Sequence, residues 1–188
     1  VIENPLISTV TVSGSTVFPE EDLRSLYAYG ESNIFNTNEG AAFISSILDL
    51  YNERGYSISQ VTEFQIDTIA QSLNIVMDEG IITSIQLLGN EKTQPHVIKR
   101  EMPQKSGDIF DFFLVQEGIN NIYGSGLFQR VYPTIRKNGD DIILQINIEE
   151  QKTDIIRLGT RYDQDQQAKG FVEFSDDNFA GLGMKSRL

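Results

Sequence analysis

Apolar residues follow two different spacings in the first part of the chain. The run Leu6–Val12 is rich in β-branched residues and stops at Gly14, which predicts a strand. Between Phe43 and Tyr51, apolar residues recur every four positions, which predicts a helix with one buried face. A shorter helix is expected before it, where Pro19 is followed by three acidic residues that suit the positive end of a helix dipole.

The ends of the longer helix carry signals of their own. Asn36 together with Glu39 predicts a cap at its start. Gly55 is placed to end the helix in a left-handed conformation, which glycine adopts at little cost. Two extended segments follow, at about Ile58–Ile66 and Ser72–Met77. The first unit is therefore predicted as strand, helix, helix, strand, strand.

The same order of elements is predicted a second time. Ile81–Leu88 has the composition of a strand. Thr93 is expected to cap a short helix that has Pro95 in its first turn. A longer helix is expected to start at Asp108 or Asp111.

The second unit is expected to close with a hairpin. Its strands are Gln129–Lys137 and Asp141–Ile148. Asn138-Gly139 would form the turn between them, because both central residues of such a turn need a positive φ.

Glycines at the ends of equivalent elements indicate a tandem repeat. Gly14 precedes Gly89 by 75 residues, and Gly55 precedes Gly126 by 71. The sequence therefore predicts two small α+β domains in tandem. A single α+β domain with coincidental internal symmetry is the alternative.

The last part of the chain has a different periodicity. In Ile155–Asp163, apolar Ile156 and Leu158 alternate with Arg157 and Arg161. This period of two over nine residues has the length of a tilted strand in a membrane barrel. A soluble hairpin that extends the sheet of the second domain is the alternative.

Two turns are expected within this tail. The segments Gln164–Lys169 and Asp176–Gly183 would separate three extended runs, of which the last is Met184–Leu188. Three barrel strands alone expose an apolar row and unpaired edges. We therefore expect the tail to be covered by another chain or by packing against its own domains.

Charge and composition narrow the possible functions. The net charge of −12 lies mostly in residues 1–80, which hold twelve acidic and two basic residues. Such a surface repels phosphate backbones, which argues against a nucleic-acid partner. The chain has no cysteine, which excludes disulfides, thiolate metal sites and cysteine nucleophiles.

Catalysis is not expected from this chain. His96 is the only histidine, and no Gly-x-Ser-x-Gly elbow accompanies it. A metal site would have to use carboxylates alone, and EF-hand spacing is absent. We therefore predict no enzyme, no catalytic residue, no metal and no cofactor.

Several local motifs resemble those of one family. Tyr51–Tyr56 ends the second helix, Asp78-Glu79-Gly80 ends the first unit, and Ile85–Asn90 and Tyr123–Phe128 are matching signals in the second. In this order and spacing they resemble the polypeptide-transport-associated (POTRA) domain. With Asp176–Gly183, the tail looks like the first barrel strands of outer-membrane assembly and translocation proteins (the BamA/TamA/TpsB-like superfamily).

The resemblance implies a fold. This is an α+β chain of two tandem β-α-α-β-β POTRA-like domains, each a three-stranded sheet with two helices, followed by an incomplete antiparallel β segment from a transmembrane β-barrel. The implied boundaries are residues 1–80, 81–154 and 155–188.

The resemblance also implies a chaperone-like role without bond-making. The domains would lie in the periplasm, attached to the outer membrane through a barrel of which this sequence contains only the first strands. They would bind unfolded outer-membrane or secreted polypeptides, and accessory lipoproteins are further candidate partners. A dedicated secretion transporter, of the two-partner or the patatin-type self-secreting kind, is the alternative.

The family's binding mode, β-augmentation, points to the strand after the second helix of each unit. A client strand adds to this edge through main-chain hydrogen bonds. We expect Pro133, which lacks an N–H, to blunt the second edge. The candidate residues on the first edge are Ser59, Gln60, Val61, Thr62, Glu63, Phe64 and Gln65, and those on the weaker second edge are Gln129, Arg130, Val131 and Tyr132. In the tail, Arg157, Arg161 and Glu173 are candidates for a polar barrel interior.

Overall fold

The chain folds into two compact units, and the second unit includes the sheet formed by the tail. The computed structural model describes residues 5–28, 33–163 and 167–187. The first unit includes the first repeat together with the segment Gly107–Phe113, and the second unit contains Thr83–Ser106 and the chain from Leu114 onward. No helix among the described residues is long and apolar enough to cross a membrane.

Both repeats have the predicted order of elements. The first repeat contains β1 (Thr9–Ser13), α1 (Glu20–Ser25), α2 (Thr37–Glu53), β2 (Gln60–Asp67) and β3 (Ser72–Asp78). The second contains β4 (Ile82–Leu88), α3 (Pro95–Lys99), α4 (Phe112–Gly124), β5 (Phe128–Asn138) and β6 (Asp141–Glu150). The tail contains β7 (Asp154–Asp163), β8 (Gln167–Phe179) and β9 (Met184–Arg187).

The first sheet has the strand order β1-β3-β2. β1 runs parallel to β3, and β2 runs antiparallel to it. Alternate residues of the central strand point into the core, where Leu73, Ile75 and Met77 are buried. Phe43 and Tyr51 of α2 and Leu23 of α1 are buried in the same cluster, so both helices pack against one face of the sheet to form this core.

The second sheet repeats this arrangement with the order β4-β6-β5. Leu144 and Ile146 of β6 are fully buried, as are Ile98 of α3 and Ile122 of α4. The predicted α+β class with two three-stranded repeats is therefore confirmed.

The predicted signals at the ends of α2 are largely confirmed. Gly55 has φ +94°, its N–H bonds the Asn52 carbonyl, and the next N–H, of Tyr56, bonds the Tyr51 carbonyl. This pair of bonds is a Schellman motif. Asn36 caps the start by accepting the N–H of Asn38, and one buried carboxylate oxygen of Glu39 has no partner among the described residues.

Two local predictions in the second repeat are wrong. The cap of α3 is Gln94 rather than Thr93, whose hydroxyl accepts a bond from a side chain in the tail. The hairpin turn consists of Gly139 and Asp140, and Gly139 alone has a positive φ, of +62°. A turn with glycine first and a normal second residue is the II′ arrangement, which also fits the twist of a hairpin.

The same backbone skeleton supports both repeats. Gly14 and Gly89 have φ of +79° and +89°. A Cβ on Gly14 would lie 2.2 Å from the carbonyl oxygen of Met77, and one on Gly89 would lie 2.0 Å from that of Ile148. The turn after the first strand of each repeat therefore touches the third strand at a point where only glycine fits.

The tail forms an antiparallel sheet of order β7-β8-β9. β8 begins at Gln167, so the expected turn Gln164–Lys169 ends earlier than predicted, and residues 164–166 lie outside the described part. β8 also continues to Phe179, so the second turn is Ala180–Gly183 and not Asp176–Gly183. The run predicted to end at Leu188 is described as far as Arg187.

The tail is covered by its own domain only at one end. Around the β8–β9 turn it bonds to the second repeat, as described below. The apolar row of the alternating pattern is exposed, with Ile156 at 68%, Leu158 at 76% and Val172 at 70%. The tail therefore packs against its own domain at the turn, and cover of the apolar row by another chain stays a prediction.

Candidate functional site

The candidate site on the first repeat is the outer edge of β2. Among the described strands, β2 is hydrogen-bonded to β3 alone, which leaves its other side unpaired. Alternate N–H and C=O groups of an edge strand point away from the sheet. This edge can therefore accept a further extended strand.

An apolar groove runs along the same edge. It has a volume of about 400 Å³ and lies between α2 and β2. Ile44 and Leu48 of α2 form one wall, and Val61 and Phe64 of β2 contribute the apolar part of the other. The remaining lining residues are Ser59, Gln60, Thr62 and Glu63. The edge thus combines free main-chain groups with a cleft for apolar side chains.

Side-chain hydrogen bonds hold this edge strand in place. Ser59 Oγ donates to the Glu79 carbonyl at 3.2 Å, and Gln60 Nε2 donates to Asp78 Oδ2 at 2.8 Å. Thr62 lies where a bulge shifts the pairing with β3, and its hydroxyl donates to the Val76 carbonyl. These bonds point toward β3, so they do not occupy the outer side of β2.

Phe64 packs the edge strand against α2 and against Phe35, which lies just before that helix. Its ring centroid lies 6.0 Å from that of Phe35. A Cβ on Gly40 of α2 would come within 3.2 Å of the Phe64 ring, so a small residue there lets the ring pack against the helix. The first edge is therefore backed by an aromatic contact.

A buried carboxylate fixes the end of β3 beside this edge. Glu79 accepts the backbone N–H groups of Thr16 and Val17, both at 2.9 Å, the Thr16 hydroxyl, and the Tyr51 hydroxyl at 2.7 Å. Burial alone would raise the pKa of Glu79, but these donors outweigh it and hold the pKa below its ordinary value. Burial is also the main reason that the pKa of Tyr51 is raised. Both groups therefore keep one protonation state at neutral pH and act as fixed hydrogen-bonding partners.

The second edge, on β5, is built differently. β5 is likewise paired on one side only among the described strands. Phe64 lies opposite Ile75 and Pro133 lies opposite Ile146, so the proline occupies the position that Phe64 has in the first repeat. Pro133 is exposed, and the bulge of this edge falls at Gln129 instead.

The concave surface near the second edge lies on the open face of the sheet. It has a volume of about 340 Å³ and includes Arg130 and Tyr132 of β5 with Asn147 and Glu149 of β6. These residues are cross-strand partners on the face away from the buried Ile146. Val131 is half-buried. This concave surface therefore differs from the groove at the first edge, which lies between α2 and β2.

Two of the three candidate interior residues of the tail come together. Arg157 and Glu173 are direct cross-strand partners, with Nη1 and Oε1 3.5 Å apart. Arg187 Nε lies 2.9 Å from the same Glu173 oxygen, a contact that sequence reasoning missed although Arg187 alternates within the predicted last strand. Arg161 pairs in register with Lys169, and both side chains lie outside the described part.

Within the described ranges, no three His, Cys, Asp or Glu residues are grouped to hold a metal ion. The features that the structure describes at β2 are the unpaired strand edge and the apolar groove.

Comparison with known proteins gives both repeats the same family. The family model described as "Surface antigen variable number repeat", for the POTRA family, matches residues 5–80 and 81–151. The N-terminal domain of Omp85 from Thermosynechococcus elongatus is a similar solved structure, with a TM-score of 0.67 and 26% identity. The similarity covers 79% of this chain and 68% of that one.

Two curated relatives extend the similarity over nearly the whole chain. A putative outer membrane protein assembly factor of Treponema pallidum is 25% identical over 187 residues, or 93% of this chain and 22% of the relative. Outer membrane protein assembly factor BamA of Buchnera aphidicola is 29% identical over 187 residues, or 94% of this chain and 30% of the relative. The chain thus spans less than a third of the length of these relatives.

Proposed function

Since this chain belongs to the POTRA family, we propose that its two repeats are the polypeptide-binding modules of an outer-membrane protein that assembles other outer-membrane proteins. The resemblance seen in the sequence is confirmed by the family match to both repeats. The expected localisation, at the outer membrane with these domains in the periplasm, agrees with the names of the relatives.

One observation carries the proposal, which is that the unpaired edge of β2 coincides with the apolar groove. An unfolded client in extended conformation would bond its main chain to β2. Every second side chain of the client would then point toward Ile44 and Leu48. Main-chain bonding accepts many sequences, and the groove favours those with alternating apolar residues.

The tail supports an assignment as the first strands of the barrel. β7 has ten residues, the length of a tilted membrane strand, and its row Ile156 and Leu158 is exposed. The opposite face carries the Arg157–Glu173–Arg187 cluster, as expected for a polar interior. Gly159 on that face lies under the ring of Phe171 across the strand pair, which explains a glycine within the strand.

The names of the relatives favour general assembly over dedicated secretion. Both relatives described above are named as outer membrane protein assembly factors. Unfolded outer-membrane polypeptides are therefore the proposed clients, and accessory lipoproteins are further proposed partners.

A peptide-binding experiment tests the groove. The probe is a short peptide of alternating apolar and polar residues, and the readout is its Kd together with hydrogen-exchange protection of the β2 amides. Leu48→Gln should weaken binding about tenfold, because it places an amide in the apolar cleft. Leu50→Gln is the matched control, since Leu50 is half-buried on the same helix but does not line the groove.

Circular dichroism of each variant shows whether the repeat is folded. Equal effects of the two variants, or protection of other amides in place of those of β2, would overturn the groove as the binding site.

A further inference from the structure

The second repeat and the tail share a continuous set of backbone contacts. The N–H of Gln94 donates to the Gly181 carbonyl at 2.9 Å, and Gln94 Nε2 donates to the Ala180 carbonyl at 3.2 Å. Gly181 has φ +73°, and a Cβ there would lie 2.0 Å from the Lys92 carbonyl oxygen. The loop Lys92–Gln94 therefore touches the β8–β9 turn so closely that only glycine fits at the contact.

Buried polar side chains surround this contact. Asn178 is 2% exposed, and its Nδ2 donates to Thr93 Oγ1 at 2.8 Å while its Oδ1 accepts the N–H of Gly183 at 2.8 Å. Asp176 is 4% exposed and accepts the Thr153 hydroxyl and the Asn178 N–H. Buried polar groups specify a unique arrangement when each has its partners, as these do.

Lys92 supplies the charge at the centre of this network. Its Nζ lies 2.9 Å from Asp154 Oδ1 and 3.0 Å from both oxygens of Asp176. The bond to Asp154 is the largest reason that the pKa of Lys92 is raised. Asp154 begins β7 and Asp176 lies in β8, so one lysine of the second repeat holds two strands of the tail.

The loop that makes these contacts is itself anchored to the sheet. Glu150, at the end of β6, accepts the backbone N–H groups of Lys92 and Thr93 at 2.8 and 2.7 Å. In the first repeat, Glu79 binds the corresponding loop at Thr16 and Val17 in the same way. The first loop has a threonine where the second has Lys92, so the lysine is the feature that the second repeat adds to a shared scaffold.

We propose that the segment Asp176–Gly183 is a docking motif for the loop Lys92–Gln94, and that the two form a clamp which fastens the β8–β9 hairpin to the second repeat. The clamp consists of Lys92, Thr93, Gln94, Thr153, Asp176, Asn178 and Gly181. Its functional consequence rests on the proposed function, since the clamp would hold the second repeat, and a client strand on its β5 edge, at a constant position beside the first membrane strands.

Hydrogen exchange of the 188-residue chain in a detergent that covers its apolar row tests the clamp. The reporter is the Gln94 amide, which donates across the contact to Gly181. Lys92→Met and Asp176→Ala should each speed its exchange about tenfold or more, because hydrogen bonds to charged groups are among the strongest in a folded protein. The double variant should speed exchange by clearly less than the product of the two single effects. Both substitutions break the Lys92–Asp176 pair, and each also removes bonds of its own.

Matched controls separate the clamp from general loss of charge. Asp177→Ala removes the neighbouring carboxylate, which is half-exposed and lies 3.8 Å from Lys185. Lys99→Met removes an exposed lysine of α3. Both should leave the Gln94 amide unchanged, and the Thr93 amide, bonded to Glu150, should stay protected in every variant that keeps the repeat folded.

Equal exchange at Gln94 in Asp176→Ala and Asp177→Ala would overturn the clamp, as would additive effects of Lys92→Met and Asp176→Ala. Peptide binding at β2 is measured separately on the same variants and should not change. A chain that fails to bind the peptide but shows the expected exchange would overturn the proposed function and leave the clamp standing.

Discussion

The two repeats share a skeleton and differ at their edges. In each repeat a glycine after the first strand touches the third strand, and a glutamate at the end of the third strand binds the loop after that glycine. At the edge, the equivalent register position is Phe64 in the first repeat and Pro133 in the second. A few backbone positions therefore specify the fold, and the edge strand is free to vary with function.

A second difference concerns how the glutamate is held. Glu79 accepts a bond from Tyr51, whereas Ile122 occupies the corresponding helix position in the second repeat and offers no hydroxyl. The second repeat instead extends its loop contacts to the tail through Lys92. In the first repeat the glutamate thus has a tyrosine of its own repeat as a partner. In the second repeat the loop bound by the glutamate makes further contacts with the tail.

The largest expected effect comes from breaking the shared skeleton. Gly14→Ala and Gly89→Ala should each lower the free energy of unfolding by about 3 kcal/mol, because the new Cβ meets a carbonyl oxygen and the φ is left-handed. Gly139→Ala is the control, since its φ is also positive but no atom lies within 4 Å of its Cβ position. Gly139→Ala should lower the free energy of unfolding, measured by chemical denaturation, by about 1 kcal/mol. Equal losses at all three positions would show that the close contact contributes nothing.

The next largest effect is expected from loss of the Tyr51 hydroxyl, which distinguishes the Glu79 site from the Glu150 site. Tyr51→Phe should lower the free energy of unfolding by about 1–2 kcal/mol, because Glu79 stays buried and loses a donor. Tyr56→Phe, at a half-buried ring that packs edge-on against Tyr51, is the matched control. Denaturant unfolding of both variants measures the difference, and an equal loss in the control would refute the role of the Tyr51 hydroxyl.

Acid should weaken both repeats through the same glutamates. Hydrogen bonds hold the pKa of Glu79 and of Glu150 below the ordinary value of 4.5, although burial opposes them. The unfolded chain then binds more protons as the pH falls, so the stabilisation is present above pH 4.5 and is lost as the pH falls through the folded pKa. Glu79→Gln should flatten the pH dependence of unfolding below this value. Exposed Glu53→Gln should leave it unchanged, and an unaltered profile in Glu79→Gln would contradict the assignment.

The smallest effect is expected at the second edge. Pro133→Val restores an N–H to β5 and should strengthen binding of an alternating peptide to the second repeat about fivefold. Ile135→Val, two residues along the same strand, is the control for a change of side chain alone. Titration of each variant with the peptide, followed by exchange protection of the β5 amides, measures the Kd. An unchanged Kd in Pro133→Val would show that the missing N–H does not weaken the second edge.

Periodicity predicted the fold because the signals that specify it are local. The four-residue spacing from Phe43 to Tyr51 marks a buried helix face, and Gly55 ends that helix where a left-handed residue is required. The order of elements follows from such signals, whereas the position of β2 at the sheet edge is what the resemblance to the POTRA domain implies. The turn at Gly139 was misplaced by one residue, since an Asn-Gly pair fits two alignments of the hairpin.

The contacts around Thr93 could not be predicted from local pattern. Threonine is a residue type that often caps a helix. The hydroxyl of Thr93, however, binds Asn178, 85 residues away. Asp176–Gly183 likewise has turn-forming residues, and burial against the second repeat keeps Asp176 and Asn178 in the strand instead. The groove was missed for a related reason, because Ile44 and Leu48 meet β2 only in the folded domain.

Photocrosslinking at matched edge positions tests the central claim that the first edge is the better acceptor. Gln65 lies opposite Asn74 and Thr134 lies opposite Gln145, so they occupy equivalent exposed positions on β2 and β5. A photoreactive residue at each position, in separate variants, is irradiated with the same alternating peptide. The account predicts that the peptide is captured mainly from position 65. Equal or stronger capture from position 134 would contradict it.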